Sequence, residues 1–293
     1  MLDILIFSVF VGLGVSAAYG IADVIAKLES SKMPAKDLLA VSMALSLPLC
    51  VLAVIYFDGF SLPKIPDALF ALRIIGAGVF YTAAWHFLYA GLEKGKVSLV
   101  APISGLNSIL IVVGSAFLFN ESLSLLAYAA VVLAIFGTFL ASLPEKGLRN
   151  LKGILGMVEL PYGLGAMVCF ALAVLFDVPI VRALGPYWDM LITRTLMVVF
   201  LFVMYPGMLS RSKKVAGEFF TPTMISLVVL NMVAGVFYNI GIASGIVSIM
   251  APIASTSPAI TAAIGVTALK EKLGKIQIAG IAIIVIAIVL ASI

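Results

Sequence analysis

Ten apolar stretches follow one another with short gaps, at roughly 4–27, 36–57, 68–91, 97–119, 123–142, 153–178, 188–209, 221–243, 247–269 and 274–293. Crossing ~30 Å of hydrocarbon takes about 20 helical residues, so each stretch is a candidate span. Composition excludes a soluble alternative. The chain is 63% hydrophobic and 11% charged, with a mean hydropathy of +1.23, whereas a soluble domain is about half apolar and a quarter charged. The spans fill the chain, so the expected fold is an all-α integral membrane protein whose function lies inside the bundle. The first span lacks a basic start and is too long for a signal peptide. Cys50 and Cys169 fall mid-span and are expected to pack as small apolar residues. One histidine cannot build a metal site, and neither metal nor cofactor is expected. The net charge of +4 comes from short inter-span loops, which excludes a nucleic-acid partner.

A shift of 150 residues lays 89–142 on 239–292 without a gap. Gly91/Gly241, Gly95/Gly245, Ser98/Ser248, Pro102/Pro252, Glu121/Glu271, Leu123/Leu273 and Ser142/Ser292 coincide. Shared composition would match Ala, Leu and Val, but not Pro, Gly and Glu in register. Upstream, Asp23 of "IADVIAK" faces Asp177 of "LFDVPIVR". The chain therefore reads as two five-helix halves, 1–143 and 150–293, joined through "LPEKGLRNLKG". An odd number of spans per half requires the halves to insert upside down relative to each other. All Lys and Arg except Lys64, Arg73, Arg182 and Arg194 fall in the odd-to-even loops or at the span ends bordering them. Basic residues mark cytoplasmic loops, so both termini are expected outside the cytoplasm, in a multi-pass protein of the cell membrane.

The segments "YAGLEKGKVSLVAPI…FLFNESLSLLAYAAVVLAIFGTFLAS" and "NIGIASGIVSIMAPI…ALKEKLGKIQIAGIAIIVIAIVLAS" resemble the drug/metabolite transporter superfamily of EamA type. Each has a proline early in a fourth helix, a glutamate at the next turn, then a Gly/Ala-rich fifth helix. Arg194 resembles the family's arginine early in the second helix of a repeat; the first half departs, with Ser42 at that place. The resemblance covers essentially the whole chain. It implies ten transmembrane helices in two inverted five-helix repeats (5+5), secondary transport, and export as the usual direction. It also implies cytoplasmic termini, against the loop charges.

Substrate sites between inverted repeats lie near the midplane, beside interrupted helices. Pro102 and Pro252 lack an N–H, so the carbonyls of Ser98 and Ser248 lose their helical partners. The flanking Ser104, Asn107 and Ser255 are candidates for a polar groove, against a plain packing kink whose serines bond their own backbone. In the third span Tyr81, Trp85 and Tyr89 form one stripe, with His86 beside it, and the eighth span carries Tyr238 and Asn239. Aromatics can wall a pocket for an amine, although such stripes also serve as packing. His86 is a candidate proton carrier. Asp23 is expected to pair with Lys27, and Asp177 with Arg194. Glu159 lacks a counterpart in the first half and precedes Pro161–Gly163, where a break is expected, so it is a candidate for substrate or proton contact; otherwise it is a solvated residue of the first helical turn. Glu121 and Glu271 read as residues suited to helix starts.

The expected activity is secondary transport of a small polar metabolite, neutral, zwitterionic or amine-bearing, with membrane lipid as surroundings and the proton as candidate coupling ion. No span carries the Lys/Arg cluster a phosphorylated sugar would need. The rivals are a flippase for lipids or lipid-linked sugars, and a membrane transferase. The transferase requires clustered carboxylates within a span, and the sequence has none.

Overall fold

The computed structural model describes residues 2–59, 61–95, 97–121, 125–142, 158–205, 221–257, 259–261, 264 and 274–291. In chain order the helices are α1 (Leu2–Ser30), α2 (Ala35–Asp58), α3 (Ala68–Lys94), α4 (Val97–Gly105), α5 (Asn107–Phe119) and α6 (Leu125–Ser142). They continue with α7 (Glu159–Leu184), α8 (Pro186–Met204), α9 (Pro222–Ser244), α10 (Val247–Ala254) and α11 (Lys275–Ala291). No strand occurs among the described residues. Six helices, α1, α2, α3, α7, α8 and α9, are long and apolar enough to cross a membrane. Shorter apolar helices cover parts of the expected fourth, fifth and tenth spans. Large apolar side chains point outward, Leu125 at 87% and Phe117 at 82% exposure, which suits a surface solvated by lipid. Expectations placed on Glu271, the 143–157 linker and the Pro102 side chain lie outside the described residues.

The elements pair in an exchanged pattern. α1 lies along α9, α3 along α7, α6 against α11 and α2 against α8, while α4 packs on α7 and α10 on α1. The α6–α11 pair is close enough that a Cβ on Gly137 would come 2.9 Å from the Gly280 carbonyl oxygen. Small residues permit such approach where lipid supplies no hydrophobic drive between helices.

Several boundaries differ from expectation. The expected fourth span is broken at Leu106, and the ninth turns at Ser255–Thr256. The helices run through positions 102 and 252 and stop a turn later, so each proline precedes its interruption. The break expected at Pro161–Gly163 does not occur: α7 is continuous from Glu159. Pro161 lies in its first turn, where the missing N–H removes no helical bond. α7 also extends past the expected end at 178, and Gly185 alone joins it to α8. With φ at +84° and ψ at 163°, Gly185 occupies a region essentially restricted to glycine. Its N–H donates to the Val181 carbonyl at 2.9 Å, and its own carbonyl accepts from Asp189 at 3.2 Å. One residue thus turns the chain back on itself, bringing the first turn of α8 against the last turns of α7.

Candidate functional site

Tyr19 and Asp23 come from α1, Tyr81 and Trp85 from α3, and Tyr238 from α9. Together with the broken ends at Ser104–Asn107 and Ala254–Ser257, they line a cavity of about 110 Å³. A smaller chamber of about 40 Å³ adjoins it, lined by Asp177, Asp189, Arg194 and Asn239 among others. Tyr19, Tyr81, Trp85 and Tyr238 belong to both linings. These four aromatics form the layer between the chambers.

The two helix breaks meet at the larger chamber. Ser255 Oγ donates to Asn107 Oδ1 at 3.0 Å, tying one interruption to the other. Ser104 instead donates to its own helix, at the Ala101 carbonyl, 2.7 Å away. Trp85 is the hub of the wall. Its ring meets Tyr89 and Phe170 edge-on at 5.5 and 5.4 Å, and Tyr19 at 5.9 Å. On its other side the Arg194 guanidinium carbon lies 6.0 Å from the indole centroid.

Asp23 is the chamber's charged group, 7% exposed. The expected pairing with Lys27 does not form, because Lys27 Nζ is taken by the carbonyls of Leu92 at 2.7 Å and Gly95 at 2.8 Å. Those carbonyls close the C-terminus of α3, where a cation also meets the helix dipole. Asp23 is left with no hydrogen bond or ion pair among the described residues. Its carboxylate opens into the cavity.

The expected Asp177–Arg194 pair is also absent: among the described residues Arg194 makes no ion pair, and its Nη1 abuts Met43 Sδ. Asp177 and Asp189 instead line the same small chamber, with their carboxyls close enough to interact. Both residues are 1% exposed. The Tyr81 hydroxyl donates to Asp177 Oδ2 at 3.0 Å, and Asn239 Nδ2 donates to Asp189 Oδ2 at 2.8 Å. Oδ1 of each aspartate has no partner.

Of the sequence candidates, Tyr81, Trp85, Ser104, Asn107, Tyr238 and Ser255 line the larger chamber, and Asn239 the smaller. Three do not reach the cavity. Tyr89 is 1% exposed, packed behind Trp85 in the core. His86 sits between the rings of Phe87 and Tyr205, one residue round the helix and facing away. Glu159 lies at the first turn of α7 with its side chain over Gly95. Sequence reading missed Tyr19 and Asp189 altogether. Asp189 stands twelve residues from Asp177, and only the Gly185 reversal makes them neighbours.

Glu121 also differs from expectation. It serves a helix of the other half: its carboxylate accepts from Ser248 N at 2.9 Å, Ser248 Oγ at 2.6 Å and Val247 N at 3.3 Å, capping α10. Arg182 pairs with it at 3.2 Å.

A sequence model of the EamA-like transporter family matches the chain twice, over residues 6–143 and 157–293. An uncharacterized protein of Methanocaldococcus jannaschii is 27% identical over 136 residues, which are 46% of this chain but 96% of that protein. A crystal structure described only as that of a protein superposes with a TM-score of 0.69 at 17% identity, over 97% of this chain and 96% of the other. It is similar in fold. The two matches together take in nearly every residue, and the chain belongs to the EamA-like transporter family.

Proposed function

We propose that the protein is a secondary transporter of small amine-bearing solutes, working by alternating access between two inverted five-helix repeats, with export as the direction usual in the family. The observation that carries the substrate class is Asp23. A buried carboxylate without a partner is costly in a membrane interior and marks a binding position. Here it faces a chamber walled by Tyr19, Trp85 and Phe170. Aromatic faces attract a cation that a carboxylate neutralises. The chamber's 110 Å³ equals about four waters at roughly 30 Å³ each, so the solute is small.

Three observations support the inverted-repeat reading. The first helix of each half packs on the third helix of the other. Lys27 donates to the Leu92 carbonyl and Arg182 to that of Ile242, and the two acceptors coincide under the 150-residue shift. The M. jannaschii relative is about one half long. Moving one half against the other would alternate the side on which the chamber opens.

The test is thermal unfolding of purified protein with ethanolamine, choline, glycine or alanine, against small sugars and carboxylates as controls. Binding to the native state raises the unfolding temperature. At least one amine is expected to stabilise the wild type and to lose that effect in Asp23→Asn. Stabilisation by carboxylates or sugars alone sinks the assignment. A flippase is the second reading, favoured by an apolar groove of about 310 Å³ between Leu106, Ile109, Phe136 and Phe139. Movement of a fluorescent phospholipid across proteoliposomes would support it.

A further inference from the structure

The pair on the far side of the aromatic layer has a chemistry of its own. Asp177 from α7 and Asp189 from α8 line one small chamber, their carboxyls close enough to interact. Each has one oxygen held by a donor from a third element, Tyr81 on α3 or Asn239 on α9. The remaining oxygen of each is buried and unpartnered. Two ionised carboxylates in contact repel, most strongly where water is excluded, and a proton between them turns the contact into a hydrogen bond. The donors to the outer oxygens orient both groups, as supporting residues do around a bound cation.

We propose that Asp177 and Asp189 form a proton-binding site, distinct from the solute chamber, and that its proton is coupled to solute movement. The coupling, though not the site, rests on the transporter reading above. The groups facing the pair are Tyr81 from α3, Arg194 from α8, Tyr19 from α1 and Tyr238 and Asn239 from α9; Asp23 lies beyond the aromatic layer. Arg194 shares the chamber without an ion pair to either carboxylate. Charge bookkeeping then links the two sites. Three carboxylates and one guanidinium line the chambers. One proton on the pair leaves a single net negative charge, which one ammonium group neutralises. Among the described residues no group of three or more His, Cys, Asp or Glu is placed to hold a metal ion, so a proton rather than a metal ion is assigned to the pair.

Infrared spectroscopy of purified protein at neutral pH reads the site without any solute. A deuterium-sensitive carbonyl band of a protonated carboxylic acid is expected in the wild type. It should be lost in Asp177→Asn/Asp189→Asn and shifted in Tyr81→Phe, which removes one donor and keeps the ring. Asp23→Asn should leave it in place. Survival of the band in the double variant, an unmoved band in Tyr81→Phe, or its loss in Asp23→Asn alone overturns the site. Loss of the band on exchanging K⁺ for Na⁺ also overturns it, since the pair would then seat a metal ion. Coupling is read separately, by uptake of radiolabelled choline into proteoliposomes with and without an imposed pH gradient. Gradient-dependent uptake that becomes gradient-independent in Asp189→Asn is the expected result. Wild-type uptake indifferent to the gradient removes the coupling and keeps the transporter. No choline uptake, with the band still lost in the double variant, removes coupling to this amine and leaves the proton site standing.

Discussion

At the scale of single residues, Trp85 separates packing from recognition. It touches Tyr19, Tyr89 and Phe170 and lies against Arg194. Removing a buried indole outright would cost about 3–5 kcal/mol and obscure any binding effect. Trp85→Phe keeps an aromatic plug but weakens the face offered to a cation. The expected outcome is a folded protein whose amine affinity falls by roughly two- to tenfold, in line with cation–π contributions of about 0.5–1 kcal/mol or somewhat more. Titration of the unfolding temperature against the amine measures it. His86, outside the cavity, serves as the control: His86→Gln should leave amine binding and any pH-gradient dependence unchanged.

At the scale of elements, two short devices position the site. The Glu121 carboxylate caps α10 through Val247 and Ser248 and holds Arg182. Helix caps are worth about 0.5–2 kcal/mol, so Glu121→Ala should lower the unfolding temperature and loosen the break at Ser255. Glu121→Gln should recover part of the loss, because an amide oxygen still accepts from Ser248. The second device is Gly185. A side chain at its φ of +84° costs about 1–3 kcal/mol, and Gly185→Ala should therefore both destabilise the protein and displace Asp189 from Asp177. The infrared band assigned to the pair would shift in this variant, while Gly59→Ala, at a left-handed position where an added Cβ meets nothing, should leave the band unmoved.

At the scale of the whole molecule, orientation is the open physical quantity. Loop charges expect the termini outside the cytoplasm, which places the exposed Ser31 inside and the exposed Ser61 outside. In a Cys50→Ala/Cys169→Ala background, a membrane-impermeant thiol reagent added to intact cells should label Ser61→Cys and spare Ser31→Cys. The reverse pattern would show that the basic loops do not govern insertion here. The same background should retain its fold, since Cys50 contributes apolar contacts around Met190 and Met232 and one weak thiol bond to Met232 Sδ at 3.5 Å.

The helical membrane class and two of the three expected interruptions were readable from residues alone; the third, at Pro161–Gly163, does not occur. Hydropathy over 20-residue windows reports the solvent, and lipid leaves the backbone no option but internally bonded helices. A gapless register of Pro, Gly and Glu places the duplicated helix breaks within a turn of Leu106 and Ser255. The aromatic stripe at Tyr81 and Trp85 is local periodicity and needs no tertiary knowledge. Partnership is another matter. Helical spacing set Asp23 beside Lys27, but Lys27 is drawn to the end of α3. Opposite charge suggested Asp177 with Arg194, but the Gly185 turn delivers Asp189 instead. Glu121 was assigned to its own helix and caps one from the other half. The sequence by itself determined the solvent and the helical class, because each is a property of a contiguous segment. Only the tertiary structure decided which buried charges lack partners, because that depends on the separations of groups carried by different helices.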